Sequence, residues 1–207
     1  MLADKLAEYR GQHPLVLAIP RGAVPMGKIV ADGLDGELDV VLVRKLRAPH
    51  NPELAIGSID ETGAVYLDPD TRDLWDDRYL ESEKKAQLTT LHERRRLYGS
   101  SAAPIDKAGR VVIVLDDGIA TGSTMIAALR AVRAGHPAKV IAATAVASRE
   151  ALGLIRREAD EVVCLAKPAV LFAIGLHFLD FSQVSDEEVV ATLQEARKSK
   201  APVRASA

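Results

Sequence analysis

Residues 111–124 read VVIVLDDGIATGST: a run of branched apolar residues, two adjacent carboxylates, and a turn of small and hydroxyl-bearing residues. The run Val111–Leu115 is the strongest strand signal in the chain, and the pattern after it predicts a helix from about Ser123 to Ala134, closed by Gly135. Apolar strands without alternation belong to parallel sheets covered on both faces. In such sheets ligands bind beyond the carboxyl ends of the strands. Here that end leads to a helix start, where the N–H groups of Thr121, Gly122, Ser123 and Thr124 lack intrahelical acceptors and the positive end of the helix dipole stands behind them. Gly122 lets a ligand approach the backbone closely. The hydroxyls of Thr121, Ser123 and Thr124 add donors, so the stretch forms a cup for a phosphate dianion. It has no lysine at the GxxxxGK[ST] position, and GxGxxG is absent from the chain, so neither a nucleoside-triphosphatase loop nor a dinucleotide fingerprint is present. Asp116 and Asp117 would repel a phosphate unless they face something else. They suit hydroxyl groups one sugar length away, or a divalent cation, since hard cations prefer carboxylate oxygen. A phosphate at one end and a diol in the middle describe a ribose 5-phosphate.

Working outward, Leu15–Ile19 is a short apolar strand that stops at Pro20-Arg21-Gly22. The helix after it has Pro25 in its first turn and Met26, Ile29, Val30 and Leu34 as its apolar face. Leu38–Val43 reads as the second strand, ending at the basic pair Arg44-Lys45. Lys139–Ala147 and Glu161–Leu165 complete five strands, with Ser148 capping the helix between them. Ser185 and Glu188 form a capping box for a last helix over residues 186–198. The class is α/β, a parallel doubly wound five-stranded sheet with a small lid or hood subdomain, in one domain with its core over about residues 12–185. In the strand order 2-1-3-4-5 the first and third strands are neighbours whose connections leave toward opposite faces, which opens a crevice between the loop at Arg21-Gly22-Ala23 and the loop at Thr121–Thr124. Residues 46–110 break the rhythm and are long enough to supply a lid. They hold a hairpin signal, Ala55–Ile59 and Ala64–Leu67 around Asp60–Gly63, and a charged helix over 79–98. The Arg94-Arg95-Arg96 run on that helix is either a solvated face or a phosphate contact.

Composition closes off other classes. The chain has 207 residues, 48% hydrophobic and 27% charged, with a formal net charge of -2, so no global field draws it to nucleic acid or to an anionic membrane. Aromatics at 4% do not supply the stacking surface of a nucleic-acid binder. The single cysteine, Cys164, excludes an internal disulfide and a multi-thiolate metal site. The uncharged run Pro168–Leu179 is too short to span a bilayer, and Asp4, Lys5 and Glu8 do not fit a signal peptide, so a cytoplasmic location is expected.

On these residues the chain resembles the type I phosphoribosyltransferases. VVIVLDDGIATGST is similar to their phosphoribosyl-pyrophosphate (PRPP) signature, LAIPRGAVPMG to their first-strand loop, and LDVVLVRK to their second strand. From Leu15 to about Gln183, and in LDFSQVSDEEV, the chain is similar to bacterial members described only as phosphoribosyltransferase-like. The resemblance implies transfer of the 5-phosphoribosyl group of PRPP to a nitrogenous acceptor, with release of pyrophosphate and with Mg²⁺ as cofactor. It implies that Asp116 and Asp117 meet the ribose and the metal, and that Ala120, Thr121, Gly122, Ser123 and Thr124 hold the 5-phosphate. Arg21, Gly22, Ala23, Arg44 and Lys45 would meet the pyrophosphate.

The acceptor would sit under a hood of residues 167–181. There Phe172 or Phe178 could stack on a base, His177 could hydrogen-bond it, and Asp180 could approach the metal. The aromatics could equally be subdomain core, and His177 structural. Members acting on 6-oxopurines carry an acid where this chain has Ala120. Adenine members share the Ala-Thr-Gly string and an Arg-Lys pair after the second strand, which points to a purine-like acceptor other than hypoxanthine or guanine. A homodimer is the family-like assembly. The competing reading is a non-catalytic PRPP- or nucleotide-sensing regulator on the same fold.

Overall fold

A computed structural model describes residues 1–49, 51–67, 75–98 and 104–200. A short helix α1 (Leu2–Lys5) and a 3-10 turn (Ala7–Tyr9) lead into β1 (Leu15–Ala18), α2 (Ala23–Gly33) and β2 (Glu37–Val40). Then come β3 (Val43–Ala48), β4 (Asn51–Asp60), β5 (Val65–Leu67) and the long helix α3 (Asp77–Leu97). The α/β alternation resumes with β6 (Val111–Ile119), α4 (Ser123–Arg133), β7 (Lys139–Ala147), α5 (Arg149–Ile155) and β8 (Glu161–Ala166), and α6 (Asp186–Lys200) follows the hood residues. The main sheet runs β2-β1-β6-β7-β8 with every pairing parallel, so the order expected from the sequence holds.

Alternation along each strand divides the core between the two faces of that sheet. Val16, Ala18, Ile113 and Leu115 pack with Val30 of α2 and Leu34 just after it, and with Val189 and Leu193 of α6. Leu15, Leu17, Val112 and Val114 pack on the other face with Met125 and Leu129 of α4 and Leu152 and Ile155 of α5. Gly27 lets α2 lie close against the sheet: a Cβ there would stand 2.9 Å from Leu38 Cδ1 and 3.1 Å from Ala18 Cβ. Among the described residues no helix is long and apolar enough to cross a membrane.

The second parallel strand is shorter than expected. It ends at Val40, and Arg44-Lys45 lie inside β3, the first strand of a separate antiparallel sheet ordered β3-β4-β5. The apolar run gives no warning of the change of sheet, because Val41 and Leu42 are both buried, one in each half of the core. The expected hairpin is present as β4 and β5, with β3 as a third strand on its other side. The lid expectation over 46–110 extends across residues 50, 68–74 and 99–103, which lie outside the described residues.

Arg95, in the middle of the basic run on α3, is neither solvated nor at a phosphate. Its guanidinium donates to Asp39 Oδ1 at 2.8 Å and to the Val40 carbonyl at 3.0 Å, both on β2, and to both oxygens of Glu61 at the β4–β5 turn. Arg95 is 9% exposed and Asp39 1% exposed on their side chains, so this ion pair fixes the small sheet to the edge of the large one with little solvent around it. Removing one partner of a buried pair leaves the other charge uncompensated. Arg95→Ala should therefore cost roughly 3–5 kcal/mol in urea unfolding, whereas its exposed neighbour in Arg96→Ala should change stability by no more than about 0.5 kcal/mol.

Candidate active site

Parallel pairing of β1 with β6 in the register Ala18↔Leu115 makes the two strands deliver their loops side by side. The consequence appears at Gly22, where a Cβ would overlap the Asp117 Oδ2. Gly22 has ordinary helical dihedrals, φ -58 and ψ -33, and the loop passes through a cis peptide at Pro20–Arg21. Glycine at this position leaves the Asp117 carboxylate in place, since a Cβ there would displace it.

Helices α2 and α4 start at this edge with Gly22 and Gly122 as N-caps, and neither has a side-chain cap. The other long helices are capped by their own residues. Asp76 accepts from Arg78 N at 3.1 Å, Ser148 Oγ from Ala151 N at 3.1 Å, and the Ser185–Glu188 box closes with bonds of 3.1 and 2.7 Å. At the start of α4 the first amides have no intrahelical acceptor, Gly122 turns the backbone at φ +84, and the hydroxyls of Thr121 and Ser123 stand 3.2 Å apart. Ala120 is exposed beside them.

The two carboxylates are poorly solvated. Asp116 Oδ1 accepts from Asp117 N at 3.0 Å, and Asp117 Oδ1 from Gly118 N at 2.7 Å. Burial and the neighbouring Asp117 charge push the Asp116 carboxyl up to about 7, and burial pushes Asp117 up as well. Such a pair favours a proton, a cation or hydroxyl donors beside it.

A cleft of about 570 Å³ opens here. Of the residues singled out in the sequence, Arg21, Gly22, Asp117, Phe178 and Asp180 line it together. Pro25, Met26 and Ile29 of α2 form its opposite wall, with Phe178 and Phe181 in a tilted contact of 4.9 Å across from them. Helical spacing had assigned Ile29 to the core face, but it is 67% exposed, and Val30, Ala31 and Leu34 are the residues that pack inward. Phe172 is 85% exposed and His177 is exposed as well, and neither lines the cleft. Ala23 is buried in the first turn of α2. The hood is fixed to the strand end by Ile174, which fills the space a Cβ on Gly118 would need.

The basic pair is split. Adjacent strand residues face opposite sides. Arg44 Nε donates to Gln87 of α3, while Lys45 lines a smaller pocket against α4 that also contains Ser123. Arg21 is at the cleft, with Nη1 3.7 Å from Asp186 Oδ2 at the start of α6, and burial together with the nearby Asp186 pushes the Tyr98 hydroxyl up. For a divalent cation, Asp117 and Asp180 present hard oxygen donors to one cleft, although no group of three or more His, Cys, Asp or Glu residues gathers among the described residues. That donor set fits an ion held mainly by oxygens of its ligand.

The parallel α/β sheet thus brings two uncapped helix starts to a carboxylate-bearing crevice. A family model of the phosphoribosyl transferase domain matches residues 1–180, and the chain belongs to that family. Two curated Mycobacterium tuberculosis proteins, from strains CDC 1551 / Oshkosh and ATCC 25618 / H37Rv and both named provisionally as phosphoribosyl transferases, are each 40% identical to it over 199 residues. The match covers 95% of this chain and 45% of theirs, so the chain spans less than half the length of these relatives. A crystal structure of a Thermus thermophilus protein is similar at 43% identity and a TM-score of 0.87, covering 94% of this chain and 93% of that one.

Two outcomes follow from the geometry. Gly22→Ala should fold, since its dihedrals suit alanine, yet displace Asp117 and lower ligand affinity at least tenfold by calorimetry. The second concerns pH. The folded-state pKa of Asp116 lies above its ordinary 3.8, so the native state holds a proton that the unfolded chain has released. Native stability from this group therefore falls as pH rises from about 4 to about 7 and is level above that. Asp116→Asn should flatten this slope in urea-unfolding profiles, gaining most over the wild type near pH 8.

Proposed function

We propose that the chain transfers the 5-phosphoribosyl group of PRPP to a nitrogenous, purine-like acceptor and releases pyrophosphate. The observation that carries this reading is the contact of Gly22 with Asp117, which brings one anion-binding loop against a carboxylate pair, with the uncapped start of α4 beyond it. The arrangement suits one ligand with three parts. The amides and hydroxyls at Thr121–Thr124 take the 5-phosphate. Asp116 and Asp117 accept hydrogen bonds from the ribose diol. The amides of Gly22 and Ala23, with Arg21, face the pyrophosphate.

In the reaction the bond from C1 of the ribose to a pyrophosphate oxygen breaks, and a bond from C1 to the acceptor nitrogen forms. Positive charge grows on the sugar ring and negative charge on the departing pyrophosphate. Arg21 and the loop amides stabilise the leaving group from fixed positions. The Asp116–Asp117 pair stabilises the ring cation from the diol side. Mg²⁺, held by Asp117 and Asp180 together with donor oxygens, would supply further charge neutralisation. The acceptor lies in the slot between Met26 and Ile29 on α2 and Phe178 on the hood, whose apolar walls limit attack by water. Ala120 offers no side-chain base, so the acceptor must lose its proton without help from that position.

The experiment is a screen of free bases with PRPP and Mg²⁺, read as pyrophosphate release. Turnover with adenine is expected to exceed turnover with hypoxanthine or guanine. Asp117→Asn should reduce turnover by roughly 10²–10³-fold, the scale for loss of one electrostatic stabiliser in a desolvated site. Binding of PRPP without release for any base would point instead to a sensing protein, and absence of PRPP binding at millimolar concentration would remove the reading.

A further inference from the structure

The second pocket, about 240 Å³ between the three-stranded sheet and α4, has a lining that the pyrophosphate role expected for Lys45 does not explain. In the antiparallel register Lys45 stands opposite Ser58, and Ser58 opposite Tyr66, so the three share one face of the small sheet. All three line the pocket, and across from them is Ser123, the first residue of α4. Ser58 is 7% exposed, and among the described residues its hydroxyl has no hydrogen-bond partner. Lys45 is exposed and has no carboxylate within ion-pair distance among the described residues. The pocket's other cation, Arg130, is already engaged, lying over the Tyr66 ring at 3.6 Å and pairing with Glu158 at 2.5 Å. The Ser123 hydroxyl connects this pocket to the phosphate cup, since it stands 3.2 Å from the Thr121 hydroxyl.

We propose that Lys45, with the Ser58 hydroxyl behind it, closes the 5-phosphate cup from the small sheet, so that the donor's phosphate monoester is held between the start of α4 and β3–β4. A phosphate at the first amides of α4 presents oxygens toward the pocket, where an ammonium group and a hydroxyl open to the pocket add donors opposite those of the loop. The inference rests on the transferase reading and reassigns Lys45 from the pyrophosphate end of the ligand to the ribose-phosphate end. It also gives the small sheet a reason to be fixed in place: Lys45 contributes only if β3 is held over α4.

The test is calorimetric titration of ribose 5-phosphate, inorganic pyrophosphate and PRPP, with Mg²⁺ present, into the wild type and into Lys45→Ala, Ser58→Ala and Arg21→Ala. Lys45→Ala is expected to weaken ribose 5-phosphate and PRPP by the same factor, about tenfold, and to leave pyrophosphate unchanged. Ser58→Ala should follow the same pattern at about threefold, and Arg21→Ala should show the reverse, weakening pyrophosphate and PRPP while sparing ribose 5-phosphate. The side chain of Lys45 is exposed, so its variant decides the matter even where Ser58→Ala disturbs packing. Weakening of pyrophosphate and PRPP in Lys45→Ala with ribose 5-phosphate intact, or no change in any of the three, overturns the inference. A wild type that binds neither PRPP nor ribose 5-phosphate overturns the transferase reading itself, a result separate from either of those.

Discussion

The structure depends on the parallel pairing of β1 with β6. These strands are 97 residues apart by their register partners Leu15 and Val112, yet they lie side by side at the centre of the sheet. Their connections leave to opposite faces, α2 on one and α4 on the other, so the two loops diverge around a crevice that no side chain has to carve out. The contact at Gly22 and Asp117 is the limiting case of that arrangement. A backbone segment and a carboxylate occupy adjoining space with no allowance for a methyl group, so the site's geometry is set by main chain and only then decorated by side chains.

A second constraint lies at the sheet edge. Arg95 joins β2, the β4–β5 turn and α3 through one guanidinium, with Asp39 also accepting from the amide of Ile105 at 3.3 Å. Buried ion pairs of this kind rarely add much net stability over a packed apolar alternative, because both charges lose water. Their value here is directional. An apolar cluster would tolerate sliding of the small sheet along β2, whereas a guanidinium bonded to two carboxylates and a carbonyl admits one position. That position puts the Lys45 face of β3 against α4.

The main sheet was legible because its signal is local: continuous apolar strands, helices of the right spacing between them, and cap residues such as Ser148 and the Ser185–Glu188 box that behave as the sequence says they should. The uncapped start of α4 was legible for the same reason, since Gly122 and the hydroxyls that flank it are contiguous. What the sequence hid was set by contacts between distant segments. The switch of sheet at Val41-Leu42 is invisible when both residues are buried. Arg95 cannot be told from Arg94 and Arg96 until Asp39 and Glu61 are placed beside it. Ile29 fits the helical period of the core but is exposed at the cleft, because a site wall and a core face follow the same periodicity. Arg44 and Lys45 read as a pair only while the strand containing them is taken to end; inside β3 they part to opposite faces.

The raised pKa values of Asp116 and Asp117 connect this architecture to the proposed chemistry. Burial and the neighbouring charge make an ionised pair expensive, so near neutral pH the pair retains part of a proton. A ligand that brings hydroxyl donors or a divalent cation relieves that cost, whereas an anionic group at the same place would raise it. The site therefore discriminates by charge along its length. Donor amides and Arg21 lie on one side, and the uncapped start of α4 lies on the other. Between them the carboxylates disfavour an anion and favour hydroxyl donors or a cation. For the proposed ligand, with anionic ends and a neutral hydroxylated centre, that alternation fixes where the centre lies, while the direction of the molecule is left to contacts such as Arg21 at one end and the hydroxyls of Thr121 and Ser123 at the other.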